Sequence, residues 1–136
     1  MVAAADAARL LGLPGAGSRA ARVLRDKLTL RAVTAAAGMP CPDFREVHSA
    51  ADVAEFARDR ACVVKPAQRQ ASLGVIMLQP GDDPAAAWRE CVGADEGAFM
   101  ASRPMRWRYM VEERLFGPEF TTECLVRDGK SLFLSF

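Results

Sequence analysis

One histidine and one tyrosine occur in 136 residues, and no two of the four cysteines form a C-x-x-C pair. Zinc frameworks need clustered ligands, so Cys41, Cys62, Cys91 and Cys124, widely spaced around the lone His48, argue against one. No apolar run approaches the length of a membrane-spanning helix. A signal peptide would show a basic start followed by unbroken apolar residues, whereas Met1 to Leu13 carries Asp6 and Arg9 inside an alanine-rich run. These absences lead to a cytoplasmic protein with no membrane partner and with its cysteines reduced, as small hydrophobes in or near a core. Charge of one sign is also lacking. The formal net charge is +1, which gives no global attraction to nucleic acid. Internal repeats and low-complexity linkers are absent. What is present is 51% hydrophobic residues against 26% charged ones, enough for a packed core and too apolar for disorder.

Local signals predict alternating helices and strands. Ala3 to Leu11 reads as a helix, followed by a breaker cluster at Gly12, Pro14, Gly15 and Gly17. Ser18 is placed to cap a helix over Arg19 to Arg25, and Asp26 to cap another that starts at Lys27. That third helix would set Leu30, Val33 and Ala37 on one stripe and stop at Gly38 and Pro40. Ser49 and Asp83-Pro84 open two further helices, over Ala50 to Asp59 and on through Trp88 to about Val92. Strands are expected at Asp43 to Val47, Cys62 to Lys65, Gly74 to Leu78, Tyr109 to Glu113 and Phe120 to Val126, with irregular chain from Gly93 to Pro104. Asp128-Gly129 is a two-residue hairpin signal leading into a return strand, Ser131 to Phe136. That last apolar run implies further sequence to cover it. The expectation is therefore a truncated chain with a bare edge, open to self-association or oligomer formation.

Three separated stretches carry chemistry. A lysine at the end of an apolar strand, as in Val63-Val64-Lys65-Pro66, is a fixed cation at a cleft edge and suits phosphate oxygens. Lys27 at a helix start stands where the helix dipole already favours anions. Two lysines converging from different elements can hold a polyphosphate. The third stretch, Met110 to Phe120, places Glu112 and Glu113 on a strand and Glu119 after a loop, as acceptors for an amino group and for sugar hydroxyls. Taken singly, each has a plainer reading: a solvated helix lysine, a strand-end surface charge, solvated turn carboxylates. The segment Arg103 to Tyr109 interleaves basic and aromatic residues, a pattern that can bind single strands. With net charge near zero it is better read as a connecting loop with its aromatics packed inward.

The ordered set Arg25-Asp26-Lys27, Gly38-Met39-Pro40, Val63-Val64-Lys65-Pro66, Gly74-Val75, then Val111-Glu112-Glu113-Arg114-Leu115 and Gly117-Pro118-Glu119-Phe120 resembles the ATP-grasp superfamily. It is most similar to the carboxylate–amine ligases of that superfamily, over nearly the whole chain. The resemblance implies an α/β fold: an ATP-grasp N-terminal lobe plus lid lobe, truncated before the catalytic C-terminal half. It implies a terminal helix and linker over 1–17, the first lobe over 18–66, the lid over 67–108, and the start of the second half over 109–136. Lys27 and Lys65 match the two phosphate-facing lysines. Glu112, Glu113 and Leu115 fall in the adenine-binding segment, and Glu119 matches the acidic residue that bonds the ribose hydroxyls. Ser72 and Gly74 fit the phosphate-covering loop, in which Arg69 and Ala71 depart from the expected small, flexible residues.

The implied cofactors are ATP and magnesium, with the metal ligands outside this chain and no catalytic residue within it. The implied parent joins a carboxylate and an amine through an acyl phosphate. Two alternatives stay open: an enzyme of the biotin-carboxylase or carbamoyl-phosphate-synthase type, and a non-catalytic scaffold.

Overall fold

The computed structural model describes residues 1–94 and 107–136. The irregular stretch expected up to Pro104 lies, from residue 95 onward, outside the described residues. Three helices come first: α1 (Val2–Leu10), α2 (Ser18–Arg25) and α3 (Lys27–Ala36). They are followed by β1 (Phe44–Val47), α4 (Ala50–Ala57), β2 (Cys62–Pro66), β3 (Ile76–Leu78) and α5 (Pro84–Gly93). After the undescribed segment come β4 (Tyr109–Glu113), β5 (Glu123–Arg127) and β6 (Lys130–Ser135).

Three helix starts form where capping residues stand. The Asp26 carboxylate accepts from the Thr29 amide at 2.9 Å, the Ser49 hydroxyl from Asp52 at 3.3 Å and the Asp83 carboxylate from Ala85 at 2.8 Å. Each satisfies a backbone donor that the helix leaves open, worth about 1 kcal/mol. Ser18 does not act this way. Gly17, at φ +83°, takes the cap position, and Ser18 becomes the first helical residue. Its buried hydroxyl has no partner among the described residues.

β1 to β4 form one antiparallel sheet in the order β1-β4-β2-β3, to which the stretches 18–66, 67–108 and 109–136 all contribute strands. Residues on β2 alternate. Cys62, Val64 and Pro66 are buried, while Val63 and Lys65 turn to the opposite face. On the first face α4 and α5 close the core. Val53, Ala57, Ala87 and Cys91 meet Val47, Cys62, Val64, Leu78 and Val111 there, and Trp88 meets Tyr109 edge to face at 5.2 Å. On the second face α3 covers only part of the sheet, with Leu28 packed among Ala67, Met110 and Phe44.

This arrangement overturns the expected α3 stripe. Leu28 is buried, while Val33 and Ala37 are exposed, because α3 meets the sheet through its first turn and then runs clear of it. Cys62 and Cys91 are core residues whose thiols burial pushes up, that of Cys91 to about 12. Cys41 is partly exposed. Cys124 is exposed, against expectation, because it stands on a hairpin whose residues are nearly all exposed.

That hairpin pairs β5 with β6 through Asp128 and Gly129, at φ +50° and +75°, the left-handed pair that a tight primed turn requires. β5 begins at Glu123, later than the expected Phe120. Leu125, Leu132, Phe133 and Leu134 are all exposed on it. Among the described residues, no helix is long and apolar enough to cross a membrane.

Candidate functional site

The second face of the sheet opens into two clefts. The first, about 490 Å³, is lined by Lys27 from α3, Lys65 from β2, Arg25, and the loop residues Arg69 to Leu73. Two backbone hydrogen bonds fix its geometry. The Lys27 amide donates to the Ala67 carbonyl at 2.8 Å, and the Ala67 amide donates to the Arg108 carbonyl at 2.9 Å. The start of the loop is thus held between the α3 N-terminus and the approach to β4. Asp26 reinforces this junction by accepting from Gln68 at 2.8 Å and from Arg108 at 3.3 Å, and Arg108 also forks onto both oxygens of Glu46, each at 2.8 Å.

Lys27 is thereby fixed beside Lys65. Burial lowers its pKa, and the nearby positive charges of Lys65 and Arg25 lower it further. Its ammonium donates to the Arg69 carbonyl. A cleft lined by Lys27, Lys65, Arg25 and Arg69, in which neighbouring positive charges make the Lys27 charge less favourable, favours an anion.

The second cleft, about 370 Å³, is lined by Arg31, Val63, Met77, the segment Glu112 to Gly117, and Glu119. Glu112 joins the two clefts. It lies opposite Val63 in the ladder, diagonal to Lys65. One carboxylate oxygen takes the Lys65 ammonium, and the other accepts from Arg31 Nε at 3.0 Å. Burial pushes the Glu112 carboxyl up, but the hydrogen bonds and charges of Lys65 and Arg31 outweigh it, leaving the pKa below the usual carboxylate value.

Lys27, Lys65 and Ser72 therefore share the first cleft, and Glu112, Glu113, Leu115 and Glu119 share the second. Gly74 lines neither. It lies under α5 at φ +71°, where an added Cβ would come within 2.9 Å of the Cys91 carbonyl oxygen. The loop departures also have structural consequences. Ala71 and Ser72 are at φ +55° and +56°, a region that costs a residue with a Cβ about 1 kcal/mol or more. Arg69 is buried, donates to the Ala94 carbonyl and lies over the Trp107 ring at 4.5 Å. Trp107 and Tyr109, the described aromatics of the basic stretch, thus make packing contacts. Arg25, present in the sequence only as part of the Arg25-Asp26-Lys27 motif, and Arg31, one helical turn after Lys27 on the same face, join the two clefts as further cations.

Asp26 and Glu112 set an acid limit on stability. Burial raises the Asp26 carboxyl, and the bonds from Thr29, Gln68 and Arg108 more than offset it, so its pKa is lowered too. Carboxyls depressed in the folded state stabilise it above their unfolded values, about 3.9 for Asp and 4.3 for Glu, and that stability is lost as pH falls through the folded values. Thermal melts should therefore hold steady down to about pH 5 and fall steeply below about pH 4. Glu112→Gln should flatten that slope. An unchanged melting temperature down to about pH 2.5, roughly 1.5 units below those values, would contradict the assignment.

No family model matches the chain. It is 28% identical over 119 residues to a D-alanine–D-alanine ligase of Pseudomonas putida strain GB-1, covering 85% of this chain and 34% of that protein. The L-amino acid ligase from Bacillus licheniformis superposes with a TM-score of 0.69 at 25% identity, over 93% of this chain and 27% of that one. D-Alanyl-alanine synthetase A from Vibrio cholerae superposes at 0.67 with 20% identity, over 94% and 37%. The fold is that of the ATP-grasp ligases. The resemblance carried by the motifs thus extends to relatives in sequence and in structure. The chain spans about a third of the length of the curated relatives it matches. Within this ATP-grasp fold, the described residues contain no group of three His, Cys, Asp or Glu able to hold a metal ion.

Proposed function

We propose that this chain supplies the nucleotide-holding part of an ATP-dependent carboxylate–amine ligase. The observation that carries the reading is that Lys27 and Lys65, from different elements, line one cleft directly beside the cleft of Glu112 and Glu119. In this reading Lys27, Lys65 and Arg25 face the phosphates. Glu112, Glu113 and Leu115 border the base, and Glu119 takes the ribose hydroxyls. Ser72 belongs to the loop over the phosphates, and Gly74 sets that loop against α5.

In the parent reaction a carboxylate oxygen attacks the γ-phosphorus and the bond to the β-phosphate oxygen breaks, releasing ADP. An amine then attacks the acyl carbon, and phosphate leaves as the amide forms. The cations of this chain hold and orient the polyphosphate, which is their contribution to such a transfer. The residues described do not form a magnesium site, so no step here is assigned to the metal.

Calorimetric titration with ATP tests the reading. The expected result is weak binding, competed by inorganic triphosphate, with no ADP release when amino acids are added. Absence of any ATP binding would favour a scaffold role. Amino-acid-stimulated ADP release by this chain alone would show that it carries a complete active site.

A further inference from the structure

The strand-end lysine is not held ready for a ligand. Lys65 lines the first cleft, but its ammonium is spent on Glu112, which lines the second. Both side chains are largely buried, at 14% and 9% exposure, so little solvent screens the pair. Arg31, on the other oxygen of Glu112, is a second counter-charge for the same carboxylate. We propose that Lys65 and Glu112 form a self-occupied latch, and that Arg31 is the positioning residue that lets it open. A polyphosphate draws Lys65 out of the pair while Arg31 keeps Glu112 charged and in place. The freed carboxylate oxygen then faces the second cleft as a hydrogen-bond acceptor. The inference rests on the nucleotide reading above.

The physical reason is the cost of a buried unpaired charge. A carboxylate left without any partner is far less stable than one that exchanges two cations for one. Without Arg31, Lys65 is the sole cation on Glu112 and cannot leave cheaply. Without the Glu112 charge, nothing holds Lys65 back. The two substitutions therefore act in opposite directions on the same ligand, which general damage to the fold does not produce.

The test uses inorganic triphosphate and ATP, titrated calorimetrically into the wild-type chain and its variants, with circular dichroism to verify the fold. Glu112→Gln should bind triphosphate about threefold or more tighter than wild type. Arg31→Ala should bind it roughly tenfold more weakly, and Arg31→Lys should restore most of the loss. Wild-type binding of both ligands, with Glu112→Gln no tighter or Arg31→Ala no weaker, overturns the latch and leaves the nucleotide reading intact. Failure of the wild-type chain to bind either ligand overturns both.

Discussion

Replacing Gly74 with alanine should destabilise the fold by roughly 2–5 kcal/mol, from a left-handed backbone and an overpacked contact together. The residue is at φ +71°, and its new Cβ would lie 2.9 Å from the Cys91 carbonyl oxygen, 3.1 Å from Pro66 Cγ and 3.2 Å from Ala94 Cβ. The nearest neighbour is backbone at the end of α5, which cannot rotate away as a side chain can. Domains of this kind have about 5–15 kcal/mol in total, so the melting temperature should fall by about 10 °C or more. Gly38→Ala is the control. It has a similar φ of +70° but nothing within 4 Å, so it carries the backbone cost alone. Equal melting temperatures for the two variants would show that the space under α5 is not what demands glycine.

Lys65→Ala should weaken ATP binding by about 10- to 150-fold, the range for losing one charge-assisted hydrogen bond of about 1.5–3 kcal/mol. Arg31 remains on Glu112, so the variant should stay folded. Lys27→Met separates binding from stability further. Burial lowers the pKa of Lys27, and Lys65 lowers it more, so its positive charge is less favourable in the folded state than in the unfolded one. Removing that charge should lower ATP affinity with little loss of melting temperature, as expected where a site concentrates like charge for a ligand. ATP affinity within about twofold of wild type in both variants would remove these lysines from the site.

The residues that line the two clefts of the candidate site sit in local signals. Val63-Val64 before Lys65 marks a strand end, and Asp26 before Lys27 marks a helix start. Glu112 to Glu119 follows a strand into a loop. The partners of these residues were not legible. Glu112 meets Lys65 across 47 positions of sequence and Arg31 across 81. Arg69 reads as an intruder in a flexible loop, and only the folded chain shows it buried against Trp107.

The sequence by itself determined the features that close within a few residues. These are the caps at Asp26, Ser49 and Asp83, the tight turn at Asp128-Gly129, and the short apolar strand that ends at Lys65. Each rests on a hydrogen bond or backbone preference spanning at most a few positions, so a short window contains its cause. Tertiary structure alone decided the strand order β1-β4-β2-β3, the burial of Leu28 in place of Val33, and the sharing of Glu112 between Lys65 and Arg31. Those outcomes depend on strand register and on where α3 crosses the sheet. Both are set by packing between segments far apart in the chain, which no local pattern encodes.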